Sequence, residues 1–303
     1  TLYKGYLQIP ATRFRTAEEQ WALVDDVIEA VLKSVPGFVR SDLEALEWCL
    51  SEITDNVINH SASPGGGVAQ LSNRSKSRKI EFAICDVGAS IPKTLRPSHP
   101  EIYEDFDALS WAIREGVTRD PAIGQGNGLF GSSEVCAGSG GFISIQSGRG
   151  SLHKNQDGLS LKNQKIPFAG TLIDGCISYA EPGQLARALK FHVSGSDFIS
   201  LRYELDDDVP VIHVRSEVQS VGARFAASPI RIKAANLIKM TTLDKIVVDF
   251  SDINIVSSSF ADEALGKLAA EVGLNVLQAR IQLINASPTI VSLVNRAIQQ
   301  RVA

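Results

Sequence analysis

Glu52, Asn56 and His60 fall at intervals of four. On a helix that spacing advances about 40° per step and draws the three into one polar stripe. The apolar positions Leu46, Leu50, Ile53 and Val57 mark the core face of the same segment, and the stripe runs along its border. A carboxylate, an amide and an imidazole so placed either face a cleft or form the solvated side of an ordinary amphipathic helix. A second pattern, Asp86-x-Gly88, leaves the strand-like run Ile80–Cys85. Asp followed by Gly two residues later forms an Asx turn. Alternatively the carboxylate accepts a ligand amine, a charge-assisted hydrogen bond worth about 1.5–3 kcal/mol, while Gly88 lets backbone approach a flat ring. The third pattern, Gly124-x-Gly126-x-Gly128-Leu129, precedes a helix-like stretch to Cys136. Glycines let backbone N–H groups converge, and a helix N-terminus adds roughly half a positive charge, a combination suited to phosphate. No Gly-Lys-Ser/Thr follows and no first βαβ strand precedes, so this is neither a P-loop nor a dinucleotide fingerprint. Read alone, it is equally a flexible turn.

These residues need elements to hold them. Ala17–Ser34 reads as a helix, with Trp21, Leu23, Val24, Val27, Ile28, Val31 and Leu32 at helical spacing. A second helix is expected from about Asp42 to Asn59, capped by Ser41 or Asp42 and ended before Pro64-Gly65-Gly66-Gly67. Val68–Asn73 and Ile80–Cys85 read as strands around the turn Arg74–Lys79, and Asp107–Glu115 as a short helix. Phe142–Ser147 and Ile166–Ala180 read as strands joined by a polar connection. The sum is α+β, helices on a mixed, largely antiparallel sheet. Near 180–195 the rhythm changes. Phe198–Glu204, Pro210–Arg215, Ile246–Phe250 and Ile281–Asn285 read as strands, and Ala226–Met240, Phe260–Val272 and Pro288–Gln299 as helices, a small α/β layer. The expected domains are 1–186 and 187–303.

Composition removes several classes. With 303 residues, 30 Lys+Arg and 34 Asp+Glu, the net charge of −4 does not suit a nucleic-acid binder. No run of 18 apolar residues spans a bilayer, and Thr1–Gly5 shows neither the basic nor the apolar part of a signal peptide. Cys49, Cys85, Cys136 and Cys176 are scattered and read as reduced, buried thiols. A cytoplasmic protein is expected.

In their order along the chain, Glu52-x-x-x-Asn56-x-x-x-His60, Asp86-x-Gly88 and Gly124-x-Gly126-x-Gly128-Leu129 resemble the N, G1 and G2 boxes of the Bergerat ATPases (gyrase, histidine kinases, MutL). Phe168-Ala169-Gly170-Thr171-Leu172-Ile173 resembles that family's late Gly-Thr strand. The likeness covers residues 15–180, and Ser51–His60 is most similar to the anti-sigma-factor serine kinases. It implies a sandwich that binds ATP and Mg²⁺. Glu52 would orient or deprotonate the attacking hydroxyl or water, and Asn56 would bind Mg²⁺. Asp86, supported by Thr171, would accept the adenine amino group. Gly88 would admit the ring, and Gly124, Gly126, Gly128 and Leu129 would close on the phosphates. His60 would lie near the phosphates or pack structurally, and Pro92–Ile123 would be a long ATP lid. One departure stands out: Ser90 occupies a place where the family commonly has a second glycine.

Ile246–Glu263 resembles the central strand, loop and helix of STAS-like domains, relatives of the anti-sigma-factor antagonists, over residues 198–300. Ser258 and Ser259 occupy the antagonists' phosphoacceptor positions, with Ser257 and Phe260 in place of the flanking Asp and Gly. They are either acceptors or caps of the helix that follows. The resemblances together imply a nucleotide-controlled switch with ATPase or serine-kinase-like activity, and a protein partner at the STAS-like part. An ATP-gated homodimer clamp and a non-catalytic ATP-sensing module are the alternatives.

Overall fold

A computed structural model gives the fold and describes residues 2–3, 6–117, 126–189, 199–204 and 209–302. The chain divides into two compact units, Thr1–Ile28 with Ser41–Gly195, and Glu29–Arg40 with Ser196–Ala303.

In the first unit, strands β1 (Leu2–Tyr3), β2 (Tyr6–Phe14), β3 (Gly67–Arg74), β4 (Lys79–Asp86), β5 (Phe142–Asn155) and β6 (Gly158–Ser178) form one sheet in the order β1-β2-β3-β4-β6-β5. Every described pairing is antiparallel, which corrects the expectation of a mixed sheet. Helices α1 (Ala17–Ser34) and α2 (Arg40–His60) bring Leu23, Val24, Val27 and Leu50 against Ile9, Leu71, Phe82 and Ile84, leaving between them a cavity of about 20 Å³. Trp21, read as part of the apolar face, is instead 65% exposed. Helices α3 (Ile91–Leu95), α4 (Asp105–Ala112), α5 (Gly128–Gly138) and α6 (Gln184–Ala188) complete the unit.

Two expectations fail for physical reasons. Helix α2 starts before Ser41, so neither Ser41 nor Asp42 is its cap. Asp42 is buried and accepts the backbone N–H groups of Gly183, Leu185 and Ala186 at 2.7, 2.9 and 3.1 Å, capping α6 from a distant part of the chain. Burial raises its carboxyl pKa, and those three donors oppose the rise. The polar connection between the expected strands is itself strand. Residues 148–165 form the outer half of the β5–β6 hairpin, where Gly150 to Asn155 pair with Asn163 back to Gly158. With most of its β6 side exposed, that half has no apolar alternation to betray it.

The second unit has a parallel sheet of β7 (Val211–His213), β8 (Ile246–Asp249) and β9 (Ile281–Ile284), with β8 central and buried along its length. Its helices are α7 (Val214–Glu217), α8 (Ser228–Met240), α9 (Ser258–Ala261), α10 (Lys267–Val272), α11 (Leu274–Arg280) and α12 (Pro288–Val302), with a π turn, Asp262–Gly266, between α9 and α10. The strand expected at Pro210–Arg215 is thus shorter and turns helical at Val214. Phe198 lies outside the described residues, and Ser200–Glu204 is a π turn rather than a strand. Ile199 and Tyr203, four residues apart, are both buried, a helical and not an extended spacing. On α8, the buried Asn236 donates to the carbonyls of Leu32 and Val35 at 2.6 and 2.9 Å and accepts from Gly37 N–H at 3.2 Å, closing the end of α1.

Helix α9 is capped by Ser257, whose Oγ accepts the Phe260 N–H at 3.0 Å. The capping role considered for Ser258 and Ser259 therefore belongs to their predecessor. Ser257→Ala should cost about 1 kcal/mol, read as a lower urea midpoint at constant slope; an unchanged midpoint would show the cap to be idle. Among the described residues no helix is long and apolar enough to cross a membrane. All four cysteines are free.

Candidate functional site

At one end of the first unit's sheet, Gly67, Asp86, Thr171 and Ser147 stand in register across β3, β4, β6 and β5. The last turns of α2 cross this end. A Cβ on Gly67 would lie 2.5 Å from the Phe14 ring and 2.9 Å from Val57, so the absence of a side chain there lets both the β2 ring and the helix pack against this end. Asp86 is 4% exposed, and its Oδ1 accepts the Gly88 N–H at 2.7 Å, an Asx turn. Burial raises the pKa of its carboxyl, while the backbone N–H groups of Gly88 and Thr171 pull the other way. The turn is then tied to α2: Ala89 N–H donates to Ser61 O, and a Cβ on Gly88 would stand only 2.1 Å from that same oxygen. Gly88 is thus required by close approach. Ser90, where a second glycine was expected, has φ −73° and precedes α3, so its backbone needs no glycine.

Thr171 is held from the neighbouring strand. Its Oγ1 lies 2.9 Å from Ser147 Oγ, which also contacts Gly170 O at 2.9 Å and accepts the Ile91 N–H at 2.8 Å. Ser147 is fully buried. Gly170 has φ +104°, and a Cβ there would collide with Asp86 O at 2.2 Å. Asp86, Thr171, Gly170 and Ser147 therefore form one close-packed polar floor. Ser147 was missed in the sequence because a single Ser in a strand has no signature; only its register opposite Thr171 marks it.

Glu52, Asn56 and His60 lie half-buried on α2, as the spacing implied. Burial raises the Glu52 pKa, and Asp55 adds to the rise. Gly124 lies outside the described residues. Gly126 has φ +72°, and a Cβ there would stand 2.6 Å from the Gly116 and Val117 backbone. Gly128 opens α5 against Glu52: a Cβ on it would sit 2.3 Å from Glu52 Oε2. The glycine loop and the carboxylate, 76 positions apart in sequence, therefore meet at a helix N-terminus. Leu129 packs on a small core of Leu95, Ile102, Ala108 and Ala112, which ties the start of α5 to α3 and α4. The structure brings Glu52 to Gly128 and Asp86 to Gly88 and Thr171.

In the second unit, Ser258 is exposed and Ser259 half-buried, its Oγ 3.0 Å from Ser257 Oγ.

A family model described as a STAS-like domain of unknown function (DUF4325) matches residues 230–291. It spans α8, β8, α9, α10, α11, β9 and the start of α12. The C-terminal part of this chain is therefore STAS-like, and the match does not reach the first unit. No curated protein matches the chain.

Proposed function

We propose that the first unit is a Bergerat-type module that binds ATP with Mg²⁺ and transfers or hydrolyses its γ-phosphate, and that the STAS-like unit carries its regulatory output. The observation that supports this reading most strongly is the meeting of Glu52 with Gly128 at the N-terminus of α5. A helix start rich in glycine offers converging N–H groups to phosphate oxygens, and a desolvated carboxylate beside it has the raised proton affinity a general base needs.

The residues present fit such a ligand. Asp86 would accept the adenine amino group, with Thr171 braced by Ser147 beside it, and Gly88 and Gly170 keep side chains off that floor. Gly126, Gly128 and Leu129 would close on the phosphates. Among the described residues no group of three or more His, Cys, Asp or Glu could hold a metal. Mg²⁺ would take Asn56 as one ligand and the triphosphate and waters for the rest, where it would neutralise phosphate charge. Glu52 would orient the attacking hydroxyl or water and take its proton.

Thermal unfolding with nucleotide tests the reading. ATP with Mg²⁺ at about 100 times Kd should stabilise the folded chain by roughly 2.7 kcal/mol. Asp86→Asn should remove most of that shift: the Gly88 N–H occupies one carboxylate oxygen, and in the amide the second position becomes an NH2 donor that cannot accept from the adenine amine. A wild-type melting curve unmoved by ATP or other purine nucleotides would overturn the assignment.

A further inference from the structure

The three parallel strands of the second unit end together. His213 is the last residue of β7 and Asp249 the last of β8, in register with each other, and Asn285 follows β9 with φ +54°. In open α/β sheets, ligands and reactive groups collect outside such carboxyl ends. Asp249 Oδ2 lies 3.0 Å from His213 Nδ1. Its Oδ1 accepts the Ser251 N–H at 2.9 Å, the Ser251 hydroxyl at 2.8 Å and Asn285 Nδ2 at 2.9 Å. Asn285 Nδ2 also donates to Ser251 Oγ at 2.9 Å, so the donors brace one another. The Asp249 side chain is 8% exposed and that of His213 62%. Asn285 and Ser251, with His213, hold the Asp249 carboxyl down at about 2, so it is ionised at neutral pH.

An ionised carboxylate facing Nδ1 fixes the ring proton there and leaves the neutral ring's lone pair on Nε2. A surface ion pair would need neither a buried carboxylate nor three further donors fixing its orientation. A buried, braced carboxylate behind an exposed imidazole is the arrangement of an oriented nucleophile or base.

We propose that His213 is a phosphoryl acceptor at Nε2, with Asp249 as its positioning residue. Nε2 attacks the γ-phosphorus, the N–P bond forms, and the bond to the β–γ bridging oxygen breaks with its electron pair leaving on ADP. Nδ1 keeps its proton, and the positive charge gained by the ring is balanced by Asp249. This rests on the ATP reading of the first unit, which supplies the donor.

The test is incubation of the full chain with γ-labelled ATP and Mg²⁺, followed by acid and alkali treatment of the product. Phosphohistidine is labile to acid and stable to alkali; phosphoserine behaves the opposite way. The expected result is an acid-labile label in wild type that is absent in His213→Gln and slowed roughly 10²–10⁴-fold in Asp249→Asn, where the ring loses its fixed tautomer, with the ATP-induced thermal shift intact in both. ATP-induced stabilisation without acid-labile label, or such label surviving in His213→Gln, overturns the proposal and leaves the ATP reading standing. If ATP gives no thermal shift, the ATP reading fails on its own, and phosphoramidate as donor decides the acceptor. Of the five histidines, His213 should then be phosphorylated fastest and be slowed by Asp249→Asn. A rate equal to the other four overturns it.

Discussion

Glu52→Ala is expected to lower γ-phosphate turnover by roughly 10²–10⁴, the usual worth of a general base, while ATP still stabilises the fold. Two facts separate this residue from a binding residue. It stands beside Gly128 at the start of α5 and not at the Asp86–Thr171 floor, and burial with Asp55 nearby raises its pKa. A carboxyl whose folded pKa is raised costs stability at pH values above that pKa, where it is ionised in a poor solvent, and the cost disappears as pH falls through it. Glu52→Gln should therefore leave the nucleotide-free protein at least as stable as wild type while turnover collapses. Gly128→Ala should follow it part of the way, because a Cβ 2.3 Å from Glu52 Oε2 forces that carboxylate aside. Release of phosphate and labelling of protein are both to be measured. If Glu52→Ala leaves both at wild-type rates, its catalytic role is wrong. If wild type itself binds ATP without either activity, the module is a sensor.

The second large effect lies in the STAS-like unit. Lys233 on α8 is buried and contacts Glu29 and, at 2.7 Å, Glu217; Lys33 reaches Glu217 at 3.2 Å, and Tyr203 OH donates to Glu29 at 3.0 Å. Lys233→Met should destabilise this unit by about 3–5 kcal/mol, since Glu29 and Glu217 would both lose Lys233 and only Glu217 would keep a second cation, Lys33. Burial alone would depress the Lys233 pKa, but Glu29, Tyr203 and Glu217 outweigh it and the net shift is upward. Burial also opposes ionisation of Glu217, yet Lys233 and Lys33 prevail and lower its pKa. The signs follow from these directions. The Glu217 contribution is present above its unfolded value near 4.3 and is lost as pH falls through the lower folded value. The Lys233 contribution is present below its unfolded value near 10.4 and is lost as pH rises through the higher folded value. Urea unfolding should thus show a plateau between about pH 5 and pH 10 that Lys233→Met flattens and lowers. A variant as stable as wild type at pH 7 would show that the cluster contributes nothing.

Some features were legible because they are local. Helical periodicity placed α1 at Ala17–Ser34, and the runs Val68–Asn73 and Ile80–Cys85 on either side of a basic turn marked β3 and β4. The spacing of Glu52, Asn56 and His60 put them on one helix, and Asp86-x-Gly88 formed the Asx turn that its composition favours. The STAS-like part was readable because the residues that resemble that family's central strand, loop and helix, Ile246–Glu263, are contiguous, and the family model matches across them.

Local rules failed wherever a distant group took over a local role. Asp42 stands where a helix cap would stand, yet its carboxylate is used by the N–H groups of residues 183–186, because burial makes unsatisfied helix-end donors costly and Asp42 is the acceptor that folding delivers. Glu29–Ser34 reads simply as the last turns of α1, but with the residues up to Arg40 it belongs to the second compact unit, where Lys233, Asn236 and Tyr203 bond to it. The outer β5–β6 hairpin carries no apolar alternation, since its β6 side is mostly exposed and its β5 side buries the single large apolar residue Leu152, so backbone pairing is what reveals it. The sequence by itself determined which residue types were available: a stripe of Glu52, Asn56 and His60, an Asp-Gly turn, and glycines before a helix. Only the tertiary structure decided that Glu52 meets Gly128, that Ser147 braces Thr171, and that His213 faces Asp249. Each of these contacts joins different elements, and strand register and the closeness permitted by glycine, neither encoded in local spacing, fix them.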